Sequence, residues 1–268
     1  MPQLALDDTS LHYEDTGPGS TGETIVFSHG LLWSTALFAP QIAALRARYR
    51  CIAWDHRGQG QSAPDHRHCI GIELVAQDAI AVIERVAGGP VHFVGLSMGG
   101  FVAMRVAARR PELVRTVALL ETSADPEPIE NIGRYRMLTA IVRAVGARPL
   151  RGRIAPIFFA RSTLADRARK RELAGYLDAM SARRDVWRAV NGVIDRAGVH
   201  GELGRIRAPT AVIVGDEDVA TPPVRAQRIA AAIAGAKLVT IAGAGHSSPV
   251  EQPAAVTAAI ETHLRGVR

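Results

Sequence analysis

The chain has 268 residues, 47% of them hydrophobic, which suits one sizeable α/β core with an insertion. No apolar run approaches the length of a membrane span, and the first residues lack the basic-then-apolar order of a signal peptide. We therefore expect a cytoplasmic protein with no membrane partner. The net charge is +6, but aromatic residues do not interleave the basic ones, which argues against a nucleic-acid partner. Cys51 and Cys69 fit neither a disulfide framework nor a zinc site, so reduced thiols are expected.

Apolar strand patterns alternate with helical patterns along most of the chain. In chain order the sequence predicts a hairpin over residues 4–13, then strands at 24–27, 51–54, 91–94, 114–120, 211–214 and 238–241, with helices at about 35–48, 71–86, 99–110, 224–233 and 253–264. Strands that alternate with helices indicate a parallel sheet covered by helices on both faces.

Residues 123–204 break this alternation. They contain several helical patterns, no clear strand, and four prolines, at positions 126, 128, 149 and 156. The chain therefore divides into a first core part at 1–122, a helical insertion at 123–204 and a second core part at 205–268.

The most informative motif follows the strand predicted at 91–94. Residues 95–99 read Gly-Leu-Ser-Met-Gly, and the pattern Gly-x-Ser-x-Gly between a strand and a helix is typical of a nucleophilic serine. The turn is so sharp that Gly95 and Gly99 have no room for side chains, and Ser97 is expected in a strained conformation. The pattern also arises by chance, and the alternative is a structural serine in a tight glycine turn.

Two later loops carry the residues that would complete a catalytic triad. One loop, after a buried strand, contains Asp216, Glu217 and Asp218, and the next such loop contains His246. The carboxyl ends of parallel strands meet at one edge of a sheet, so these loops should meet Ser97 there. A histidine could then accept the serine proton while a carboxylate orients the imidazole. The residues alone leave the acid open among the three.

Together these motifs resemble the α/β-hydrolase family over nearly the whole chain. Two further motifs carry the resemblance: His-Gly-Leu-Leu-Trp at 29–33 and Asp-His-Arg-Gly-Gln-Gly-Gln-Ser at 55–62, each after a predicted strand. The resemblance implies the α/β-hydrolase fold, a mostly parallel doubly wound sheet with an inserted helical cap. The insertion at 123–204 corresponds to that cap in place and length, and we call it the cap segment.

The resemblance also implies roles for individual residues. The family pattern Gly-x-x-Asp followed by Pro selects Asp218 as the acid, which gives a triad of Ser97, Asp218 and His246. The backbone N–H groups of Leu31 and Met98 would form the oxyanion hole. No metal and no cofactor is implied.

The cap segment is expected to roof the substrate pocket. Large side chains that could line it are Trp33, Met137, Ile141, Phe158, Phe159 and Trp187, although each could instead pack in the core of the cap. Residues 134–207 carry 17 Lys and Arg against six Asp and Glu, while the rest of the chain carries 15 against 20. A positive rim over the site would attract anionic substrates, and solvated helix faces are the alternative.

These features predict a serine hydrolase that cleaves small-molecule carboxylic esters or lactones through an acyl-enzyme on Ser97. Within the family the motifs most resemble the 3-oxoadipate enol-lactonase-like and esterase branch. The same fold and triad also serve carbon–carbon bond hydrolases and cofactor-free perhydrolases. The non-enzymatic alternative is a ligand receptor or scaffold. The oligomeric state stays open.

Overall fold

A computed structural model describes residues 2–146, 148–180 and 185–266 of the chain. Its centre is one eight-stranded sheet with the strand order β1-β2-β4-β3-β5-β6-β7-β8. The pairs β1–β2 and β2–β4 are antiparallel and all other pairs are parallel, so the mostly parallel sheet is confirmed. The strands are β1 (Gln3–Ala5), β2 (Ser10–Asp15), β3 (Thr24–Ser28), β4 (Arg50–Trp54), β5 (Val91–Leu96), β6 (Val114–Leu120), β7 (Thr210–Gly215) and β8 (Lys237–Ile241).

Helices cover both faces of the sheet. The core helices are α1 (Ala39–Leu45), α2 (Ile72–Val82), α3 (Met98–Arg109), α9 (Pro223–Ala232), α10 (Ser248–Glu251) and α11 (Pro253–Arg265). Side chains alternate along each strand, so Val91 and Phe93 of β5 face the layer of α2 and α3, while Val94 and Leu96 face that of α1 and α11. Burial on both faces explains why the central strands appear as continuous apolar runs in the sequence.

Two helices differ from their predicted bounds. The helix predicted at 35–48 is a 3₁₀ turn, Thr35–Phe38, followed by α1. Ser34 caps the 3₁₀ turn, and Pro40 stands in the first turn of α1, where a missing N–H costs nothing. The helix predicted at 71–86 keeps α-helical geometry only to Val82, and its last turn is a π-helix, Ile83–Ala87.

Between β6 and β7, the described residues of the cap segment form five α-helices. They are α4 (Ile129–Val145), α5 (Arg151–Phe158), α6 (Arg161–Ala165), α7 (Arg167–Met180) and α8 (Trp187–Ile194). Within 123–146, 148–180 and 185–204, the described part of this segment, no strand occurs. Among the described residues no helix is long and apolar enough to cross a membrane.

The strand order places a crevice at the centre of the sheet. β3 lies between β4 and β5, so the chain reverses its direction of travel across the sheet at β3. The loops that leave β3 and β5 therefore diverge, although Ser28 and Gly95 pair side by side at the carboxyl ends of these strands. Open α/β sheets bind ligands at such a switch point.

Candidate active site

Ser97 occupies the turn between β5 and α3 in a conformation that residues with a side chain rarely adopt, φ 52° and ψ −111°. A Cβ atom built on Gly95 would lie 2.4 Å from the carbonyl oxygen of Gly99. One built on Gly99 would lie 2.0 Å from the carbonyl oxygen of Ser28. Both positions therefore require glycine, as the sequence predicts, and the tight turn presents Ser97 at the start of α3.

Three side chains from separate loops meet at this turn. The Nε2 atom of His246 lies 2.8 Å from the Oγ atom of Ser97, and its Nδ1 atom lies 2.9 Å from Oδ2 of Asp218. His246 and Asp218 are buried, with 5% and 3% of their surface exposed. When Nδ1–H donates to the carboxylate, Nε2 carries a lone pair and can accept the serine hydroxyl proton. The arrangement can thus generate a serine nucleophile.

The Asp218 carboxylate is held by its own loop. Its Oδ1 atom accepts hydrogen bonds from the N–H groups of Ala220 and Thr221, at 2.8 and 3.0 Å. The Thr221 hydroxyl donates to Oδ2 at 2.7 Å and lies 3.3 Å from Nδ1 of His246. This contribution of Thr221 was not predicted from the sequence, although an aspartate whose side chain accepts backbone N–H groups shortly after it in the chain is a known turn pattern.

The two acidic neighbours of Asp218 have other partners. Asp216 is exposed and accepts the N–H of Gly243 at 2.8 Å. Glu217 accepts the N–H of Ser162, in the cap segment, at 3.1 Å. Of the three acids, the one in contact with the histidine is therefore Asp218.

The candidate oxyanion donors flank Ser97. A Cβ atom built on Gly30 would lie 3.5 Å from Cβ of Ser97, so the loop after β3 rests against the nucleophile turn. Within the described residues, the N–H groups of Leu31 and Met98 have no acceptor. Two unpaired donors near a nucleophile are what a developing oxyanion needs.

A buried histidine supports the loop that carries Leu31. Nδ1–H of His29 donates to the carbonyl oxygen of Gly30 at 2.7 Å, and Nε2 accepts the N–H of His56 at 3.0 Å. Burial lowers the pKa of His29, which favours the neutral ring that can donate at one nitrogen and accept at the other. His29 thus holds the loop that carries Leu31.

A cavity of about 210 Å³ opens above Ser97 and His246, which both line it. Its walls come from the loop after β3 that carries Leu31 and from the cap helices α4, α5 and α8. Most of the side chains in these walls are apolar. The apolar side chains that line it are Leu31, Leu32, Leu96, Phe101, Leu138, Val142, Leu150, Ile154, Ile157, Phe158, Val186, Val190, Val193, Ile194 and Ala220. The cavity suits a substrate with an apolar body.

Of the six side chains expected to line the pocket, Phe158 does so, with its ring centroid 5.9 Å from that of His246. The other five do not line this cavity: Trp33 and Phe159 pack on each other, Met137 is 58% exposed, Ile141 packs in a small cluster of the cap segment, and Trp187 stacks with two arginines. On α4 the cavity is lined instead by Leu138 and Val142, each one position further along. The candidates were chosen for their large side chains, but the rotation of α4 about its axis determines which of its side chains face the cavity.

Two arginines line the cavity, and they differ in burial and in ion pairing. Arg196 is buried and pairs with Glu127, its Nη1 atom 2.9 Å from Oε2. Arg153, exposed on α5, has no hydrogen bond or ion pair with any described residue. The cavity therefore presents one cation without a protein counter-ion among the described residues.

Asp65 and His68, which lie close to Cys69 in the loop between β4 and α2, have partners other than a metal ion. In 2–146, 148–180 and 185–266, no group of three or more His, Cys, Asp or Glu side chains is placed to hold a metal ion. Asp65 accepts instead from Arg57 and Arg67. The ring of His68 packs edge-on against that of Trp187, with centroids 5.2 Å apart.

The chain is similar in sequence and in fold to known hydrolases. A model of the Alpha/beta hydrolase family matches residues 25–260. A Rhizobium rhizogenes protein named as a carbamate hydrolase, RutD, is 28% identical over 253 residues, 91% of this chain and 93% of that protein. The enol-lactonase of Burkholderia xenovorans superposes with a TM-score of 0.89 at 28% identity, over 98% of this chain and 100% of that one. A thermophilic esterase of Thermogutta terrifontis, solved with malate bound, gives 0.87 at 29% identity, over 97% and 94%.

Proposed function

The chain belongs to the alpha/beta hydrolase family, and from this premise we propose that it is a serine hydrolase that cleaves carboxylic esters or lactones through an acyl-enzyme on Ser97. The observation that carries the proposal is the chain of contacts from Oγ of Ser97 through His246 to Asp218, at 2.8 and 2.9 Å. The similarity to an enol-lactonase and an esterase supports this choice of bond.

In the first half-reaction Ser97 attacks the carbonyl carbon of the substrate while its proton passes to Nε2 of His246. The negative charge on the carbonyl oxygen is stabilised by the N–H groups of Leu31 and Met98, and each such donor contributes on the order of 10²–10³-fold in rate. Asp218 stabilises the imidazolium, which then protonates the leaving alkoxide. In a lactone that alkoxide stays attached to the acyl group.

In the second half-reaction water replaces the alcohol. His246, neutral again, accepts a proton from the water as its oxygen attacks the acyl carbonyl. The same two N–H groups hold the second oxyanion. The imidazolium returns its proton to Oγ of Ser97, and the carboxylic acid product leaves.

The cavity favours a substrate with an apolar body and an anionic group at its far end. Phe158 marks the end of α5 beside His246, and Arg153 lies five residues earlier on the same helix. At 1.5 Å per residue the two positions are roughly 7.5 Å apart along the helix axis. A substrate carboxylate that lies along α5, away from Phe158 and toward Arg153, could reach the Arg153 guanidinium. The malate bound to the similar esterase supports an anion preference.

A fluorophosphonate probe tests the proposed nucleophile. The probe phosphonylates activated serines, so we expect one adduct per chain and, after proteolysis, its location on Ser97. The Ser97→Ala protein serves as the matched control and should stay unlabelled. An unlabelled wild-type protein, or an adduct on another residue, would contradict the proposal.

A panel of p-nitrophenyl esters and lactones then tests the bond that is cleaved. We expect turnover of both classes, with a carboxylate-bearing substrate preferred. Labelling without ester or lactone turnover would instead favour a carbon–carbon bond hydrolase or a perhydrolase. Cleavage of a vinylogous diketone and peroxide-dependent halogenation separate these two. A folded protein that the probe does not label would favour a receptor or scaffold.

A further inference from the structure

The side chain of Glu251 contacts both flanks of His246 and also the cap segment. Its Oε1 atom accepts the N–H groups of Gly245 and Ser247 at 2.9 and 3.3 Å. Its Oε2 atom accepts the N–H of Ala160, between α5 and α6, at 2.7 Å. The residue is completely buried. One side chain thus joins the histidine loop to the cap.

Other contacts bring the same part of the cap against the histidine loop. A Cβ atom built on Gly245 would lie 2.4 Å from the backbone nitrogen of Ala160, so the two backbones touch. The Phe158 ring packs edge-on against the His246 ring. The Arg169 guanidinium, on α7, donates to the carbonyl oxygen of Glu251. A shift of the cap at residues 158–160 would therefore move the His246 imidazole directly.

The donors around Glu251 suit an ionised carboxylate. Burial raises the pKa of Glu251, while hydrogen bonds from Ala160, Gly245 and Ser247 act in the opposite direction. A carboxylate only accepts hydrogen bonds, so both oxygens can face N–H groups. A glutamine keeps the shape of the side chain but replaces one oxygen by an NH₂ donor. It therefore loses either the hydrogen bonds from Gly245 and Ser247 or the one from Ala160.

We propose that Glu251 is a positioning residue that couples the docking of the cap to the orientation of His246. The inference rests on the proposed function, because its kinetic readout is ester hydrolysis. The carboxylate does not touch the substrate. It fixes the backbone on both sides of the imidazole, and it does so only while Ala160 is in place. A carboxylate with a merely structural role would stabilise the protein and leave the rate of the folded enzyme unchanged.

The test compares Glu251→Gln with the identical change at Glu217. The Glu217 side chain also links the core to the cap, through Ser162, but the described hydrogen bonds from Gly245 and Ser247 go to the Glu251 side chain and not to that of Glu217. At a temperature where both proteins are folded, we expect kcat for an activated ester to fall on the order of 10–100-fold in Glu251→Gln, with KM little changed. Glu217→Gln should keep the wild-type kcat. We also expect the downfield proton resonance of the hydrogen bond between His246 and Asp218 to persist in Glu217→Gln and to broaden or vanish in Glu251→Gln.

A wild-type kcat in folded Glu251→Gln, or equal losses in both variants, would overturn the inference. If Glu251→Gln does not fold, amide hydrogen exchange of the wild-type protein tests the coupling instead. Slow exchange at a common rate for Gly245, Ser247 and Ala160 supports the coupling, and a rapidly exchanging amide at Gly245 or Ala160 refutes it. A wild-type protein that neither turns over esters nor reacts with a fluorophosphonate would refute the proposed function, while the resonance and the exchange rates would still test Glu251.

Discussion

Ser97 holds its backbone at φ 52°, in a region that costs a residue with a side chain about 1–3 kcal/mol. The glycines two positions before and after it prevent direct clashes: a Cβ atom on Gly99 would lie 2.0 Å from a carbonyl oxygen of β3. The strain at this turn is therefore offset by the packing of β5 and α3, whose side chains are buried nearly throughout. This requirement for glycine can be tested without any activity assay.

Replacing Gly99 by Ala should destabilise the protein by about 3 kcal/mol, because the added methyl group forces β3 and α3 apart. The control is Gly133→Ala on the exposed face of α4, where a Cβ atom meets nothing within 4 Å. There alanine should stabilise the helix by about 0.5–1 kcal/mol. Urea denaturation measures both changes. A Gly99→Ala protein as stable as wild type would show that the turn is looser than described.

Arg153 is the residue that would set substrate charge preference. Arg153→Ala should lower kcat/KM for a carboxylate-bearing ester about tenfold relative to its neutral counterpart, because one charge-assisted hydrogen bond is lost. Arg151→Ala removes the same charge from the same helix, but Arg151 pairs with Asp178 and does not line the cavity. That control should leave the ratio of the two kcat/KM values unchanged. An unchanged ratio in Arg153→Ala would remove the argument for an anion at this end of the cavity.

At the scale of elements, a buried arginine joins the loop after β4 to two neighbouring elements. The Nε and Nη2 atoms of Arg57 lie 2.6 and 2.5 Å from the carboxylate of Asp78 on α2. Nη1 lies 3.2 Å from Asp8 in the β1–β2 turn and 3.3 Å from Asp65. Arg57 belongs to the motif at 55–62 that carries the family resemblance, and its contacts show how this loop ties the hairpin and α2 together.

Arg57→Met should destabilise the fold by about 3–5 kcal/mol, because it leaves Asp78 buried without its partner. The matched control is Arg67→Met, since Arg67 also contacts Asp8 and Asp65 but is exposed. The exposed pair of Arg67 with Asp8 contributes about 0–1 kcal/mol, and the buried Asp65 keeps Arg57 as a partner, so the control should unfold close to wild type. Thermal or urea unfolding compares the two variants. Equal effects would mean that Arg57 contributes no more than a surface charge.

How far the sequence determines an element depends on whether its pattern is local. The central strands and the turn at Ser97 could be predicted, since continuous apolar runs and obligatory glycines leave local signals. The lining of the cavity could not: Met137 and Leu138 are adjacent apolar residues on α4, and only packing against the core decides which one faces the cavity. The contacts of Glu251 were equally hidden, because Ala160 lies 91 residues away and contributes only a backbone N–H.

For the whole molecule, charge is divided between its two parts. Residues 134–207, most of them in the cap segment, carry the net positive charge, and the rest of the chain is net negative. Several of these arginines pair with carboxylates, among them Arg136 with Asp195 and Arg151 with Asp178. The positive field around the cavity is thus smaller than the count of arginines suggests, but Arg153 lines the cavity without such a partner among the described residues.

We expect kcat/KM for a carboxylate-bearing ester to fall as salt rises, because the Debye length shrinks from about 30 Å at 0.01 M to about 10 Å at 0.1 M. The neutral ester of the same chain length is the control, and its kcat/KM should change little. Steady-state rates at several salt concentrations measure the effect. Parallel curves for the two esters would show that the basic surface is only a solvated helix face.

The central claim is that Ser97 acts as the nucleophile of a hydrolase. The most direct measurement is kcat of Ser97→Ala on an activated ester that the wild-type enzyme turns over, with the fold checked by circular dichroism. We predict a loss of at least about 10⁴-fold, because without its nucleophile the site retains only oxyanion stabilisation and binding. A folded Ser97→Ala protein with kcat within tenfold of wild type would contradict the account.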